Sequence, residues 1–164
     1  MPDPFLLQLF QHKAWCNRAL AEALRAAPAD ADRYQMAVIL LTFEHTSIVD
    51  RIFKAHISGE AHSFAAVAGD RRPDLETLAG AMAETDAWYI DYVRRAPAAE
   101  LDEVVAFTFV DGDPGRMTKG EMLAHVITHG ASHRGAIGKM LEGMNVPGAP
   151  DMVTTFVREG RPTP

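Results

Sequence analysis

The chain has 164 residues, 48% of them hydrophobic and 23% charged, with 12 glycines, 10 prolines and one cysteine. That mix predicts a single globular domain over residues 1–164, and it excludes a disordered chain, a collagen-like chain and a disulfide scaffold. Sixteen Lys and Arg against 22 Asp and Glu leave a net charge of -6, a balance that repels phosphate backbones and argues against nucleic-acid partners.

Asp3-Pro4 reads as the start of a first helix, with the aspartate as cap and proline in the first turn. Leu6, Leu9, Phe10, Ala14, Asn17, Ala21 and Leu24 then recur at helical spacing until Pro28. A second helix is expected over about 32–58, with Val38, Leu41, His45, Ile48, Val49, Ile52 and Phe53 as its stripe and Gly59 as its stop. Pro73-Asp74 opens a third, carrying Leu75, Leu78, Met82, Trp88, Tyr92 and Val93, and Pro97 closes it. Val104–Val110 is β-branched and aromatic and runs into the turn sequence Asp111-Gly112-Asp113-Pro114-Gly115. It reads as an extended crossover with at most one short strand. Thr118-Lys119-Gly120-Glu121 is a capping box for a fourth helix that ends near Glu142, with Gly143 as its stop. Pro150 opens a short terminal helix bearing Met152, Val153, Phe156 and Val157. The expected fold is all-α: a four-helix bundle with a long crossover before the fourth helix and a short C-terminal helix.

No apolar run approaches the roughly 20 residues that span a bilayer, so no membrane segment is expected. The N-terminal stretch has no basic leader, and Cys16 has no partner, which together suggest a cytoplasmic protein.

One cysteine rules out a four-cysteine zinc module, whereas seven histidines leave a histidine site open. His125, His129 and His133 stand four residues apart on the fourth helix. Each step of four turns the stripe by only about 40°, so the three share a face. Adjacent members can converge on one ion; the outer two are about 12 Å apart along the axis and cannot easily do so. An adjacent helix must complete the set, and His45, which interrupts an apolar stripe, is the natural supplier. Three neutral imidazoles and a water would make an open site of the catalytic type. His125 is a ligand, a supporting group or merely the start of the stripe; His12, His56 and His62 lack a partner spacing and default to packed or solvated roles. Asp50 and Glu44 could orient the His45 ring, and Arg134 could bind an anion, although a surface or intersubunit salt bridge suits Arg134 better. Gly130, Gly135 and Gly138 inside the helix suggest close packing or room beside the site. No His-Glu-x-x-His, Glu-x-x-His or phosphate-loop motif is present.

Leu123–Gly135, with its three histidines and Arg134-Gly135, resembles the fourth-helix signature of the DinB-like (YfiT-like) family. Ala14–Arg18, Phe43–Ile48 and Phe107–Gly112 resemble further segments of that family, so the likeness spans nearly the whole chain. The resemblance implies a four-helix fold and a divalent ion, nickel or zinc, held by His45, His129 and His133, with His125 in support. It also implies a homodimer and a metal-dependent thiol (S-)transferase acting on a small electrophile, with a low-molecular-weight thiol as partner and no assigned catalytic base. Metal-dependent hydrolysis and a non-catalytic metal-binding stress role are the alternatives; a metal-free helical interaction module stands further off. Ala136 departs from the glutamine common after Arg-Gly in that family, so any role of that amide is missing here.

Overall fold

Each long helix begins where a side chain can satisfy its free backbone amides. The computed structural model describes residues 3–69 and 71–160; residues 1, 2, 70 and 161–164 of the expected single domain lie outside the described residues. Asp3 accepts from the amides of Phe5 and Leu6 and opens α1, Pro4–Arg25. Asp32 caps α2, Arg33–Ser58, which stops at Gly59 in the left-handed conformation (φ 69°). Asp74 caps α3, Leu75–Arg95, and Pro97 follows its end. The Thr118–Glu121 capping box is formed in both directions and opens α5, Lys119–Gly143. These are the four helices of the expected bundle, and the fold is all-α in its bulk.

The crossover differs from expectation. After a single turn, α4 (Ala98–Leu101), it forms a hairpin of β1, Val104–Thr108, and β2, Pro114–Thr118, paired antiparallel from Val104↔Thr118 to Thr108↔Pro114. The β2 sequence carries little strand propensity; it is held by pairing and by packing. Phe107 lies over Gly115, where an added Cβ would come within 2.5 Å of its ring, so a larger residue there would have to displace that ring. Two further boundaries move. α5 includes Gly143, and Asn145 (φ 56°) takes the left-handed position beyond it. The terminal helix starts at Val153 rather than Pro150, with α6 at Val153–Thr155 passing into a π-helical turn at Phe156–Gly160.

α1 packs on α3 and α2 on α5, with α2–α3 and α1–α5 contacts closing the bundle. The apolar core is in two parts. One end holds Leu24, Leu40, Phe43, Leu78, Ile137 and Leu141, and the other holds Phe10, Phe53, Tyr89, Val93, Met122 and Val126. Burying these side chains contributes about 1.5–3 kcal/mol each, which is what holds the helices together. Between the two ends, each of the four helices turns a polar residue inward: Lys13 and Asn17 from α1, Thr46 and Asp50 from α2, Asp86 from α3 and Arg134 from α5. The candidate histidines lie on the same stretch of α2 and α5 as this polar layer.

Candidate metal centre

His45 on α2 and His129 and His133 on α5 come together, with one ligand-capable atom from each lying within 4.8 Å of the others. Ring centroids are 5.0 Å apart for His45–His129, 4.8 Å for His45–His133 and 4.4 Å for His129–His133. All three rings are half-buried. His125 stays outside the group. It stacks on His129 at 5.1 Å and packs against Phe53 at 4.7 Å, forming an aromatic wall beside the three.

The orientation of His45 is set by backbone. Its Nδ1 lies 2.7 Å from the carbonyl of Val67. A carbonyl only accepts, so the proton of the neutral ring sits on Nδ1 and Nε2 is left bare. That bare nitrogen is 3.1 Å from Nε2 of His129. The expectation that Asp50 or Glu44 orients the ring is not met: Asp50 is engaged with Lys13, and the Val67 carbonyl takes the role.

Burial first, and then the neighbouring His133, His45, His125 and Lys13, push the His129 imidazole down to about 4. Burial and His45 also lower His133. Both rings are therefore neutral donors at neutral pH, the form a metal requires. Tetrahedral donors at roughly 2.0–2.1 Å from an ion are separated by roughly 3.3–3.4 Å, close to the observed nitrogen–nitrogen distance. His129 carries a further sign of an unmet demand, because its buried Nδ1 has no hydrogen-bond partner among the described residues. If His129 donates from Nε2 to His45, Nδ1 is a buried acceptor with nothing to accept. The residues fit a divalent ion of the kind that imidazole suits.

The layer beneath the triad is paired by contrast. Lys13 Nζ sits 2.6 Å from Asp50 Oδ2 and 2.6 Å from Asp86 Oδ1. Asn17 donates to Asp86 at 2.8 Å and accepts from Arg134 at 3.1 Å. Arg134 grips Asp151 with two bonds of 3.0 Å. Burial works against the Lys13 charge, but Asp86 and Asp50 hold its pKa above the usual lysine value. Burial likewise pushes the Asp50 carboxyl up to about 6, with Lys13 opposing. Arg134 is thus a buried ion pair within the chain rather than a surface or intersubunit one. Gly130 lets this layer close under the histidines: a Cβ there would meet Arg134 Nη1 at 3.1 Å and Lys13 Cε at 3.6 Å. Nothing lies within 4 Å of a Cβ at Gly135 or Gly138, so close packing explains only one of the three helix glycines.

The sequence model of the DinB family matches residues 1–157. The chain belongs to the DinB family. No curated protein and no solved structure matches it. DinB membership and the converging histidines agree with metal binding. Among the described residues, no helix of this DinB chain is long and apolar enough to cross a membrane.

Lys13, Asp86, Asp151 and the Val67 carbonyl are the parts of the site that sequence reading missed. Lys13 and Asn17 did carry a signal, since both sit on the inward stripe of α1 between Phe10 and Leu20. The Val67 carbonyl had none, because a loop carbonyl is placed by tertiary structure alone.

Proposed function

We propose that this DinB chain is a divalent-metal-dependent enzyme of the thiol-transferase type, joining a small thiol to an electrophilic small molecule. His45, His129 and His133 would hold the ion, nickel or zinc. The observation that carries this reading is the convergence of three half-buried imidazoles, one of them with its Nδ1 held by the Val67 carbonyl. Bound there, a divalent ion lowers the pKa of a thiol and holds it as thiolate at neutral pH.

The chain's own residues account for the rest. Val67 keeps the lone pair of His45 Nε2 turned toward His129. Burial keeps His129 free of a competing proton. His125, stacked on His129 and backed by the buried Phe53, lines one side of the group. Cys16 is not a candidate for the reacting sulfur: it is 1% exposed, and burial raises its thiol well above the usual range. The nucleophilic sulfur therefore comes from a small-molecule thiol. A cytoplasmic homodimer is the setting that this reading and the family resemblance favour.

Elemental analysis of protein purified without a nickel column, followed by a panel of low-molecular-weight thiols with an electrophilic acceptor, tests the proposal. The expected result is metal-dependent thiol consumption that disappears in His129→Ala and His45→Ala. Metal-loaded protein that consumes no thiol above the His45→Ala control overturns the transferase reading, and hydrolysis of esters or amides in its place would assign the site to a hydrolase.

A further inference from the structure

A second group of unlike donors converges away from the histidine triad. His12 and Cys16 stand four residues apart on one face of α1, and Asp151 reaches them from the segment before α6. His12 Nε2 is 3.2 Å from Cys16 Sγ and 4.0 Å from Asp151 Oδ1, and the three donor atoms lie within 4.8 Å of one another. His12 is 8% exposed and Cys16 1%.

The arrangement is not that of a nucleophilic cysteine with its base. In such a triad the carboxylate holds one ring nitrogen while the other faces the thiol. Here the same nitrogen, Nε2, faces both the sulfur and the carboxylate. One nitrogen, one sulfur and one oxygen donor within 4.8 Å of one another are a set a cation can use. An ion bound at roughly 2.0–2.3 Å to tetrahedral N, S and O donors separates them by roughly 3.3–3.8 Å, and the observed 3.2 Å and 4.0 Å bracket that range. Arg134 donates from Nε to Oδ2 and from Nη2 to Oδ1 of Asp151, which fixes the carboxylate in place; Oδ1 would serve the ion with its second lone pair. A cavity of about 20 Å³ lies against Cys16, Asp151 and Arg134, enough for one coordinated water. Packing supports the approach of the C-terminal segment: Phe156 sits against His12 at 5.6 Å and Trp15 at 5.7 Å.

We propose that His12, Cys16 and Asp151 form a second metal site, selective for a thiolate-accepting divalent ion such as zinc, that pins the C-terminal segment to α1. It shares no residue with the His45–His129–His133 group and does not depend on what that group does. Binding forms a sulfur–metal bond as the Cys16 S–H bond breaks, and the proton leaves to solvent. Occupancy therefore rises with pH.

Cobalt(II) titration of metal-free protein tests this, because thiolate ligation gives an intense near-ultraviolet charge-transfer band that an all-imidazole site cannot produce. The experiment uses the wild-type chain, His133→Ala and Cys16→Ser. The expected result is two equivalents and the band in wild type, one equivalent with the band in His133→Ala, and one equivalent without it in Cys16→Ser. Absence of the band from both wild type and His133→Ala overturns the site, as does its persistence in Cys16→Ser. Should Cys16→Ser fail to fold, His133→Ala alone decides. Loss of the triad's metal in His133→Ala leaves this readout intact, so failure of the two sites is told apart.

Discussion

Two polar clusters share the middle of this bundle, and they are satisfied in opposite ways. In the inner layer every charged group has a partner of opposite sign, Lys13 between Asp50 and Asp86 and Arg134 on Asp151, although Asp50 Oδ1 accepts no hydrogen bond among the described residues. In the triad above it, three imidazoles bring ring nitrogens together, and the His129 Nδ1 has no partner among the described residues. Pairing of the first kind holds the elements that carry these charges together. Convergence of the second kind is incomplete without a ligand. The difference assigns stability to the layer and binding to the triad, and it predicts that substitutions in the two will fail in different ways.

The largest effect belongs to the layer. Lys13→Met leaves Asp50 and Asp86 buried without their shared cation, and it should cost about 3–5 kcal/mol in denaturant unfolding. In metal-free protein His45→Ala should cost only about 1 kcal/mol, because that ring is half-buried and makes few fixed bonds. Equal losses from the two would erase the distinction between a structural and a binding cluster.

Metal should close most of that gap. In a Cys16→Ser background, which leaves the triad as the site under test, an ion at 100 times its Kd should stabilise the chain by about 2.7 kcal/mol. Adding His129→Ala should abolish that increment, whereas Asp50→Asn should leave it in place. Thermal unfolding with and without zinc measures both. A zinc-dependent shift that survives His129→Ala would detach stability from the triad.

How much of this could be read beforehand follows from the same contrast. The four long helices and most of their ends were legible because caps and apolar periodicity are local: Asp3, Asp32, Asp74 and Thr118 each sit one residue before the helix they open. His45 was legible because a polar residue in an apolar stripe must face something. Lys13 occupies the same kind of position but was passed over, since a lysine on a helix is usually solvated and its two carboxylates come from other helices. β2 was invisible because Pro114–Thr118 becomes a strand only through its register with Val104–Thr108. The His12–Cys16–Asp151 group was hidden for a related reason: its third donor arrives from 135 residues later in the chain.

The two clusters should also answer pH with opposite signs in metal-free protein. His129 titrates at about 4 in the fold and near 6.5 when unfolded, so the unfolded chain binds its proton first. Its contribution is present above pH 6.5 and is lost as pH falls toward 4. Asp50 titrates at about 6 in the fold against 3.8 unfolded, so its contribution is present below pH 3.8 and is lost as pH rises through 6. Difference curves between wild type and His129→Ala, and between wild type and Asp50→Asn, should therefore slope in opposite directions between pH 4 and 6. Parallel slopes would mean that burial does not set the two values as described.

The smallest test uses two glycines five residues apart on α5. Gly135 has open space where a Cβ would go, so Gly135→Ala should stabilise the helix by about 0.5–1 kcal/mol. At Gly130 the same helix gain is offset by contact. The nearest atom, Arg134 Nη1 at 3.1 Å, cannot swing aside, because Asn17 and Asp151 hold that guanidinium on both sides. Overpacking of this kind costs about 1–3 kcal/mol, more than the propensity gained, so Gly130→Ala should be net destabilising. The inversion of sign depends on the layer being rigid. A stabilising Gly130→Ala would show that Arg134 yields, and with it the claim that paired charges hold these elements together beneath the histidines.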